Sequence, residues 1–339
     1  MKLSHSAANK YTTCSMMYKL HYKDRLRSNR IGSALFFGSC LDDALNILLL
    51  TKKKSLTEEE SILVKANPKE AIIESLTNVK INGVVTNIRK SLLVDYYKSD
   101  YDNDLLTDDD FDDLIMYAKT IEVVLSCKED FKGFVRSFQS IKNPTEINEV
   151  KLYNYACWLC LKNKALMLFE HYRTEILPKI EEVYSIQKSV SLPDGKDEFI
   201  GYIDFIASFV DEPGVKYVVD NKTSSSPYPA DSVKTSTQLS AYCEFVGTDK
   251  AAYIVLEKKI RKRDPKVRSQ IIKDYIPEQQ FEETFDNLSE VFYNINEGKF
   301  EKNLDSCFQY GKKCPYYDFC RDGSTEGLVD LGSKDANSK

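Results

Sequence analysis

The sequence predicts an α/β fold in which helices flank a mixed central sheet, with a helical segment inserted ahead of most of the strands. The first observation is the order of the predicted elements between residues 181 and 298, which runs β-β-β-α-β-β-α. The second is a long charged stretch, residues 51–165, in which glycine and proline are scarce and helix is favoured over strand. The third is an ordinary globular composition, with 42% hydrophobic and 29% charged residues.

Each element follows from its own pattern. Residues 8–50 predict two helices, of which the second is strongly apolar. Side chains alternate over 181–192 as they do in a strand, and the turn sequences "PDG" and "DEPG" separate it from the next two strands. The remaining predicted strands are 198–210, 215–223, 251–260 and 269–276, and the remaining predicted helices are 231–247 and 278–298.

Charge and hydropathy exclude several classes of protein. A net charge of −5 does not favour a protein that coats nucleic acid non-specifically, although it says nothing of local patches. No stretch approaches the roughly 18 consecutive apolar residues of a membrane span, and the first residues contain no signal-peptide core. We therefore expect no membrane partner and a cytoplasmic location, which is the host cytoplasm if the protein is viral.

Two consecutive predicted strands each carry an acid among apolar residues. Asp204 stands in "GYIDFIA" and Asp220 in "YVVDNKT", and burial there is costly unless the carboxylate is paired or binds a metal. Hard cations such as Mg²⁺ prefer oxygen ligands, so both carboxylates and the backbone carbonyl of Asn221 are candidate ligands. Lys222 points to the same face as Asp220 and is a candidate to polarise a water or neutralise a phosphate. An isolated acid-x-lysine is, by contrast, typical of a surface salt bridge.

These motifs resemble those of the PD-(D/E)XK nuclease superfamily, in particular its RecB-like branch. The matching pieces are "GYID" (201–204), "VVDNKTS" (218–224) and "QLSAY" (238–242). The resemblance implies a restriction-endonuclease-like fold, with Asp204 and Asp220 as ligands of Mg²⁺ or Mn²⁺ and Lys222 as the catalytic lysine. It also implies that Gln238 and Tyr242 support the active site, which their i, i+4 spacing on one helix face allows. The alternative for that pair is an ordinary helix–sheet seam.

The N-terminal region extends the resemblance. "TTCSMMYKLHYKDRL" (12–26) and "ALFFGSCLDDAL" (34–45) resemble the opening of RecB-like exonucleases, where a cysteine-containing helix precedes G-x-x-x-H. The histidine position falls on Asp42, which offers an oxygen ligand to a metal but not an imidazole. Asp42 is therefore a candidate metal ligand, and the adjacent Asp43 is a competing choice.

Three cysteines lie near the C-terminal end in "CFQYGKKCPYYDFC" (307–320), spaced as C-x₆-C-x₅-C. In a chain without a secretory signal this spacing favours a metal over a disulfide. Iron–sulfur members of the RecB-like branch use one N-terminal cysteine and three after the nuclease core, often as C-x₂-C-x₅-C. The resemblance thus implies a [4Fe–4S] cluster on Cys14, Cys307, Cys314 and Cys320, with a longer first gap. Zn²⁺ on the same thiolates and a set of unligated cysteines are the alternatives.

The resemblance implies a metal-dependent exonuclease that hydrolyses phosphodiester bonds at DNA ends in recombination, repair or phage-type genome processing. A nuclease-derived DNA-binding or structural protein and an endonuclease subunit are the alternatives. No Walker-type phosphate loop occurs in the sequence, so any unwinding needs a helicase partner, and a recombinase is another candidate partner. A run of basic residues is a candidate site for binding the DNA backbone. The alternative interpretation of this run is a solvated hairpin. That run contains Lys258, Lys259, Arg261, Lys262 and Arg263.

The predicted organisation has five parts. They are N-terminal helices of the nuclease domain at 1–50, a helical insertion at 51–165, a nuclease core at 166–300, a cysteine segment at 301–322 and a flexible tail at 323–339.

Overall fold

The computed structural model describes residues 1–28, 33–81, 84–87, 164–258, 266–309 and 312–332. Most of the predicted insertion, most of the predicted basic hairpin and the end of the tail lie outside these ranges. No helix among the described residues is long and apolar enough to span a membrane.

The N-terminal part of the chain contributes one strand to the main sheet and three helices to its two faces. Its elements are β1 (Lys2–Ser4), α1 (His5–Thr13), α2 (Ser15–Tyr18) with a π-helical turn (Lys19–Lys23), β2 (Leu26–Ser28), α3 (Ser33–Leu50), α4 (Glu58–Leu63), α5 (Pro68–Thr77), β3 (Asn78–Ile81) and β4 (Val84–Asn87).

The second half holds most of the sheet. Residues 164–171 are helical (α6) and continue into a π-helical turn (Tyr172–Ile176) and a 3₁₀ turn (Leu177–Lys179). The remaining elements are β5 (Ile180–Asp194), β6 (Asp197–Phe209), β7 (Glu212–Ser224), α7 (Thr237–Val246), β8 (Lys250–Glu257), β9 (Ser269–Tyr275), α8 (Glu278–Asn296), a 3₁₀ turn (Leu304–Cys307), β10 (Phe308–Gln309), β11 (Lys312–Lys313), α9 (Tyr317–Asp322) and β12 (Leu328–Asp330).

Six strands form one mixed sheet. Strand β5 runs antiparallel along β6, while β1 pairs in parallel with the start of β6 and β7 pairs antiparallel with its end. Strand β8 is parallel to β7 and β9 is antiparallel to β8. The parallel pair β7–β8 is joined through α7, as a parallel connection requires. This helix therefore lies beside the strand that carries Asp220 and Lys222.

Both faces of the sheet are covered by helices, which confirms the predicted α/β fold. Helices α3, α5 and α6 pack on one face, where Leu45 and Ile72 contact the same core as Val219. Helices α1, α7 and α8 pack on the other face, where Leu239 and Val291 join Val218. Val218 and Val219 are successive residues of β7 and belong to different cores. The side chains of β7 therefore alternate between the two faces of the sheet.

Several predicted elements begin or end elsewhere, for local reasons. Helix α7 begins at Thr237 rather than at residue 231, because the Ser236 hydroxyl caps it by accepting the Leu239 amide. Val233 suggested an earlier start, and it is buried in the core from the preceding turn instead. The first predicted helix is preceded by a strand, β1, which joins the main sheet. The predicted insertion also differs, since α5 belongs to the main core and β3 and β4 form a hairpin.

The alternation predicted for 181–192 does not persist along β5. Ile186 packs against the core on the α3 face, whereas Val190, four residues later, belongs to the core on the α7 face. Between them Gln187 has a backbone φ of +49°. A residue in the left-handed region rotates the strand, so the side chains exchange faces there.

Candidate active site

A cleft of about 450 Å³ opens at the end of β7, between α3 and the start of α7. The sheet brings side chains that are distant in sequence to this one place, because β6 and β7 are neighbours and α7 follows β7 directly. Among the residues that line the cleft are Asp42, Asp204, Asp220, Asn221, Lys222 and Gln238. Tyr242, another predicted site residue, does not line the cleft and instead contacts Gln238, which does.

Asp204 lies in β6 opposite Gln187 of β5. At this position the side chains of both strands change from one face of the sheet to the other. Its Oδ2 accepts the backbone N–H of Asn221 at 2.8 Å, so the end of β7 fixes the orientation of this carboxylate. The side chain of Asn221 lies on the opposite face of β7 from Asp220, as the pleat requires. The backbone N–H of Asn221, which the sequence does not single out, thus binds Asp204, and the role of its backbone carbonyl as a metal ligand stays a prediction.

Asp220 and Lys222 point into the cleft from the same face of β7 and form a close pair. Lys222 Nζ lies 2.7 Å from Asp220 Oδ2, and the Asp220 side chain is only 3% exposed. Lys222 also donates to Oε1 of Gln238 at 3.2 Å, and Gln238 Nε2 donates to the hydroxyl of Tyr242 at 3.4 Å. These hydrogen bonds connect the end of β7 to α7. Gln238 and Tyr242, four residues apart on α7, therefore contribute to the same site.

Tyr242 packs so closely on β6 that a side chain at Gly201 would displace it. A Cβ added at Gly201 would lie 2.8 Å from both Cε1 and the hydroxyl oxygen of Tyr242. The tyrosine is 4% exposed and its ring also contacts Phe199. The glycine of "GYID" therefore makes room for the ring that supports Gln238.

The structure separates the two acids of α3. Asp42 lines the cleft, and its Oδ2 accepts a hydrogen bond from Gln187 Nε2 at 3.2 Å. Its Oδ1 is buried and finds no hydrogen-bond donor in the described part of the chain. Asp43 is exposed and instead accepts the Ser75 hydroxyl at 3.0 Å. The competing choice between the two is thus resolved in favour of Asp42 as the residue that faces the cleft.

The cleft concentrates negative charge in a poorly solvated place. Burial raises the pKa of Asp42 to about 6, with further contributions from Asp43 and Asp220. Burial and the charges of Asp220 and Asp42 raise the pKa of Asp204 well above its usual range. The pKa of Asp220 is also raised by burial, although Lys222 opposes the shift. Carboxylates in this situation are stabilised by any cation that binds among them.

The pKa of Lys222 is also raised, but the cause is a neighbouring charge and not burial. Burial alone would lower its pKa, but the charge and hydrogen bond of Asp220 outweigh burial and raise it above the ordinary value. Lys222 is therefore protonated at neutral pH and supplies a positive charge and N–H donors, rather than a base.

The donor set fits a hard divalent cation. Mg²⁺ is typically bound by one or two carboxylates together with water and substrate phosphate, and Asp204 and Asp220 meet that requirement. The unpartnered Oδ1 of Asp42 is a further oxygen that a cation would satisfy. Within the described ranges, no three His, Cys, Asp or Glu side chains stand close enough together to form a ready-made metal site. A cation here would accordingly depend on water and substrate for its remaining ligands.

The four cysteines predicted to bind a cluster lie together, away from the cleft. All four are free thiols and partly buried. The Sγ of Cys307 lies 3.8 Å from the carbonyl oxygen of Asn303, and the backbone N–H of Cys314 donates to the carbonyl of Cys307 at 2.8 Å. The carbonyl of Cys320 accepts a hydrogen bond from Nζ of Lys302, the residue before Asn303. Burial raises the pKa of Cys314, and the neighbouring thiols add to the shift. The Sγ of Cys14 accepts the backbone N–H of Asn303 at 3.4 Å. Thiols from both ends of the chain therefore converge.

The predicted basic hairpin is largely outside the described residues. Lys259, Arg261, Lys262 and Arg263 fall there, and only Lys258 is described, with its backbone N–H donated to the carbonyl of Ser224 at 2.6 Å. Sequence reasoning did not single out Gln187 and Gly201. The glycine stands in a quoted motif, but its role depends on a contact through space, and no local pattern marks Gln187.

Comparison with known proteins agrees with this geometry. The sequence model of the PD-(D/E)XK nuclease superfamily matches residues 147–321, just over half of the chain. A comparison with curated proteins finds no match. The matched region contains β6, β7 and α7, and with them Asp204, Asp220, Lys222, Gln238 and Tyr242, whereas Asp42 lies outside it. The chain belongs to the PD-(D/E)XK nuclease superfamily.

Proposed function

We propose that the protein is a metal-dependent DNA exonuclease of the RecB-like branch, and that the cleft beside β7 is its active site. The observation that carries the proposal is the convergence of Asp204, Asp220 and Lys222 in one cleft, with Gln238 bound to the lysine. The motif "QLSAY" and the N-terminal cysteine-containing helix support the RecB-like assignment. Membership of the superfamily supports hydrolysis of phosphodiester bonds.

The proposed mechanism assigns a task to each group. Asp204, Asp220 and Asp42 would hold Mg²⁺ or Mn²⁺, and the backbone carbonyl of Asn221 would be a further ligand. When bound, the cation lowers the pKa of water and neutralises charge on the phosphate. Lys222 is protonated and donates to the developing negative charge on the phosphate oxygens.

Neighbouring side chains keep that lysine in place. Gln238 accepts a hydrogen bond from Lys222 and donates one to Tyr242. The lysine also lies over the ring of Tyr253, 5.8 Å from its centroid, and the Tyr253 hydroxyl hydrogen-bonds Ser236 at the cap of α7. These contacts restrict the ammonium to the direction of the cleft, and positional restriction of a catalytic group is a large part of catalysis.

We also propose a [4Fe–4S] cluster on Cys14, Cys307, Cys314 and Cys320, with Zn²⁺ as the alternative metal. The mutual proximity of the four thiols supports it. Thiolates bind either metal, and the choice of an iron–sulfur cluster rests on the resemblance to the RecB-like branch.

DNA is the proposed substrate, and a helicase or recombinase is the proposed partner class. The cleft is acidic, so the phosphate backbone must reach it together with the cation, and the basic run at 257–268 is the proposed track for that backbone.

The test is cleavage of matched DNA substrates with Mg²⁺ or Mn²⁺, by the wild-type chain and by Asp220→Asn. The substrates are end-labelled linear single-stranded DNA, linear duplex DNA and covalently closed circular DNA. Digestion of linear but not circular DNA, lost in Asp220→Asn, is the expected result. Digestion of circles would make the protein an endonuclease. DNA binding without hydrolysis under any metal would overturn the proposal in favour of a binding protein.

A further inference from the structure

The pairing of β5 with β6 is irregular beside Asp204, and the other irregularities of β5 are of a different kind. Ile186 pairs with Phe205 and Lys188 pairs with Ile203, so Gln187 faces Asp204 across the two strands without forming a regular pair. Phe205 packs on the α3 face and Ile203 on the α7 face, which shows that β6 changes face at the same rung as β5. The two strands therefore rotate together at 187 and 204.

This rotation uses a backbone conformation that is unfavourable for glutamine. A φ of +49° lies in the left-handed region, which residues other than glycine, asparagine and aspartate rarely adopt. The register of β5 against β6 shifts twice elsewhere, between Ile180 and Glu182 and between Val183 and Ser185, and neither shift involves a positive φ. Irregular pairing in this strand thus does not require the left-handed conformation. A conformation of this kind that persists in a structure is a reason to ask what its side chain does.

The side chain of Gln187 reaches α3. Its Nε2 donates to Oδ2 of Asp42 at 3.2 Å. The other oxygen, Oδ1, is buried without a donor from the described residues. One oxygen of Asp42 is consequently occupied by the side-chain amide of Gln187 and the other is left for a cation. Amide and carboxylate partners of this type orient metal ligands in many proteins.

We propose that Gln187 is a positioning residue for the metal centre, which holds Asp42 with Oδ1 directed to the cation. The proposal rests on the proposed function, since it requires Asp42 to be a metal ligand. The left-handed backbone at Gln187 serves this role, because it directs the amide toward α3 at the rung where Asp204 enters the cleft from β6. Gln187 thereby links the ligand on α3 to the ligand on the sheet.

The test separates the side chain of Gln187 from its backbone conformation. Gln187→Gly removes the amide and adopts a positive φ without strain, so the fold in the absence of metal should be as stable as the wild type or more stable. Ser189→Gly is the matched control, an exposed residue two positions further along the same strand. Each variant is titrated with Mn²⁺ by calorimetry without nucleic acid, and its thermal unfolding is measured without metal. We expect Gln187→Gly to bind Mn²⁺ about tenfold more weakly and Ser189→Gly to bind it as the wild type does.

Other results overturn the proposal. Wild-type Mn²⁺ affinity in Gln187→Gly, or an equal loss in Ser189→Gly, excludes a positioning role. A lower unfolding temperature of Gln187→Gly with unchanged affinity makes the residue purely structural. Two further variants distinguish this failure from failure of the proposed function. If Asp204→Ala weakens Mn²⁺ binding and Asp42→Ala does not, the metal site stands and the role of Gln187 falls. If the wild-type chain binds no Mn²⁺, both fall.

Discussion

At the scale of single residues, the pair Asp220 and Lys222 explains why a buried strand ends in an acid and a lysine. Their positions two residues apart place both side chains on one face of β7. Asp220 is almost wholly buried, so removal of the lysine would leave a carboxylate without its partner. The two groups pair with each other, and both are directed to the place where a cation and a phosphate would meet.

Asp42 gives a prediction for pH and metal together. Its pKa is about 6 in the folded protein and near 4 when unfolded, so the folded state binds the proton more tightly. The stability from this proton is present below about pH 4 and is lost as the pH rises through 6. Without divalent metal, we therefore expect the unfolding temperature of the wild type to fall between pH 5 and 7.5, relative to Asp42→Asn. Differential scanning fluorimetry of both proteins measures this difference.

Added Mn²⁺ should reverse that loss. Protons and cations compete for the same oxygens, so Mn²⁺ should raise the unfolding temperature of the wild type more at pH 7.5 than at pH 5. The gain should be smaller in Asp42→Asn at both pH values. Equal pH profiles and equal Mn²⁺ effects in the two proteins would contradict the role of Asp42 as a ligand.

At the scale of elements, the contact between β6 and α7 gives a second prediction. Gly201→Ala places a methyl group against the buried ring of Tyr242 at a distance that forces the ring to move. We expect a loss of about 1–3 kcal/mol in the free energy of unfolding, as for other overpacked sites. Nuclease activity should fall as well, because Gln238 is hydrogen-bonded to the displaced tyrosine. Chemical denaturation and cleavage of labelled DNA measure the two effects.

The control for this prediction is a double-mutant cycle. In a Tyr242→Leu background the added methyl group no longer meets the ring, so Gly201→Ala should cost much less there. An equal cost in both backgrounds would show that the clash with Tyr242 is not the cause.

The strands and helices that carry the cleft residues also show how much of the structure can be predicted from the sequence. Asp220 and Lys222 line one cleft as predicted, because residues two apart in a strand share a face. The same cleft holds Asp204, which the neighbouring strand supplies, and Gln238, which the family resemblance implies. The position of Gln187 was not predictable, since the left-handed turn of its backbone breaks the alternation on which strand patterns depend. Strand β1 was missed for a related reason. Three residues are too short to show a pattern, and its pairing with β6 is decided by the folded sheet.

At the scale of the whole molecule, the two ends of the chain are joined beside the cysteines. The backbone N–H of Met16 donates to the carbonyl of Glu301 at 3.0 Å, and the side chain of Asn303 donates to the carbonyl of Thr13 at 2.9 Å. Strands β2 and β12 pair antiparallel nearby, and buried Tyr316 hydrogen-bonds His21 at 2.8 Å. A cluster on the four thiols would add a covalent link to ends that protein contacts already hold together.

The cluster gives a prediction for the purified protein. Anaerobic purification should yield a brown protein with broad visible absorption and about four irons per chain. Cys314→Ser should lose the absorption and most of the iron, and its segment after residue 300 should become more sensitive to protease. Ser306→Ala, a change at a buried neighbour outside the cysteine set, is the matched control. Zinc without visible absorption would favour the alternative metal, and the absence of both metals would contradict a metal site.

The central claim is that the cleft hydrolyses phosphodiester bonds with Lys222 as its catalytic lysine. The most direct measurement compares the wild-type chain with Lys222→Ala on end-labelled linear DNA with Mn²⁺, together with Mn²⁺ affinity and thermal unfolding of both proteins. We expect a folded variant that still binds Mn²⁺ and cleaves about a hundredfold to a thousandfold more slowly, because it has lost one transition-state donor. Cleavage at the wild-type rate by the variant would rule out Lys222 as the catalytic lysine.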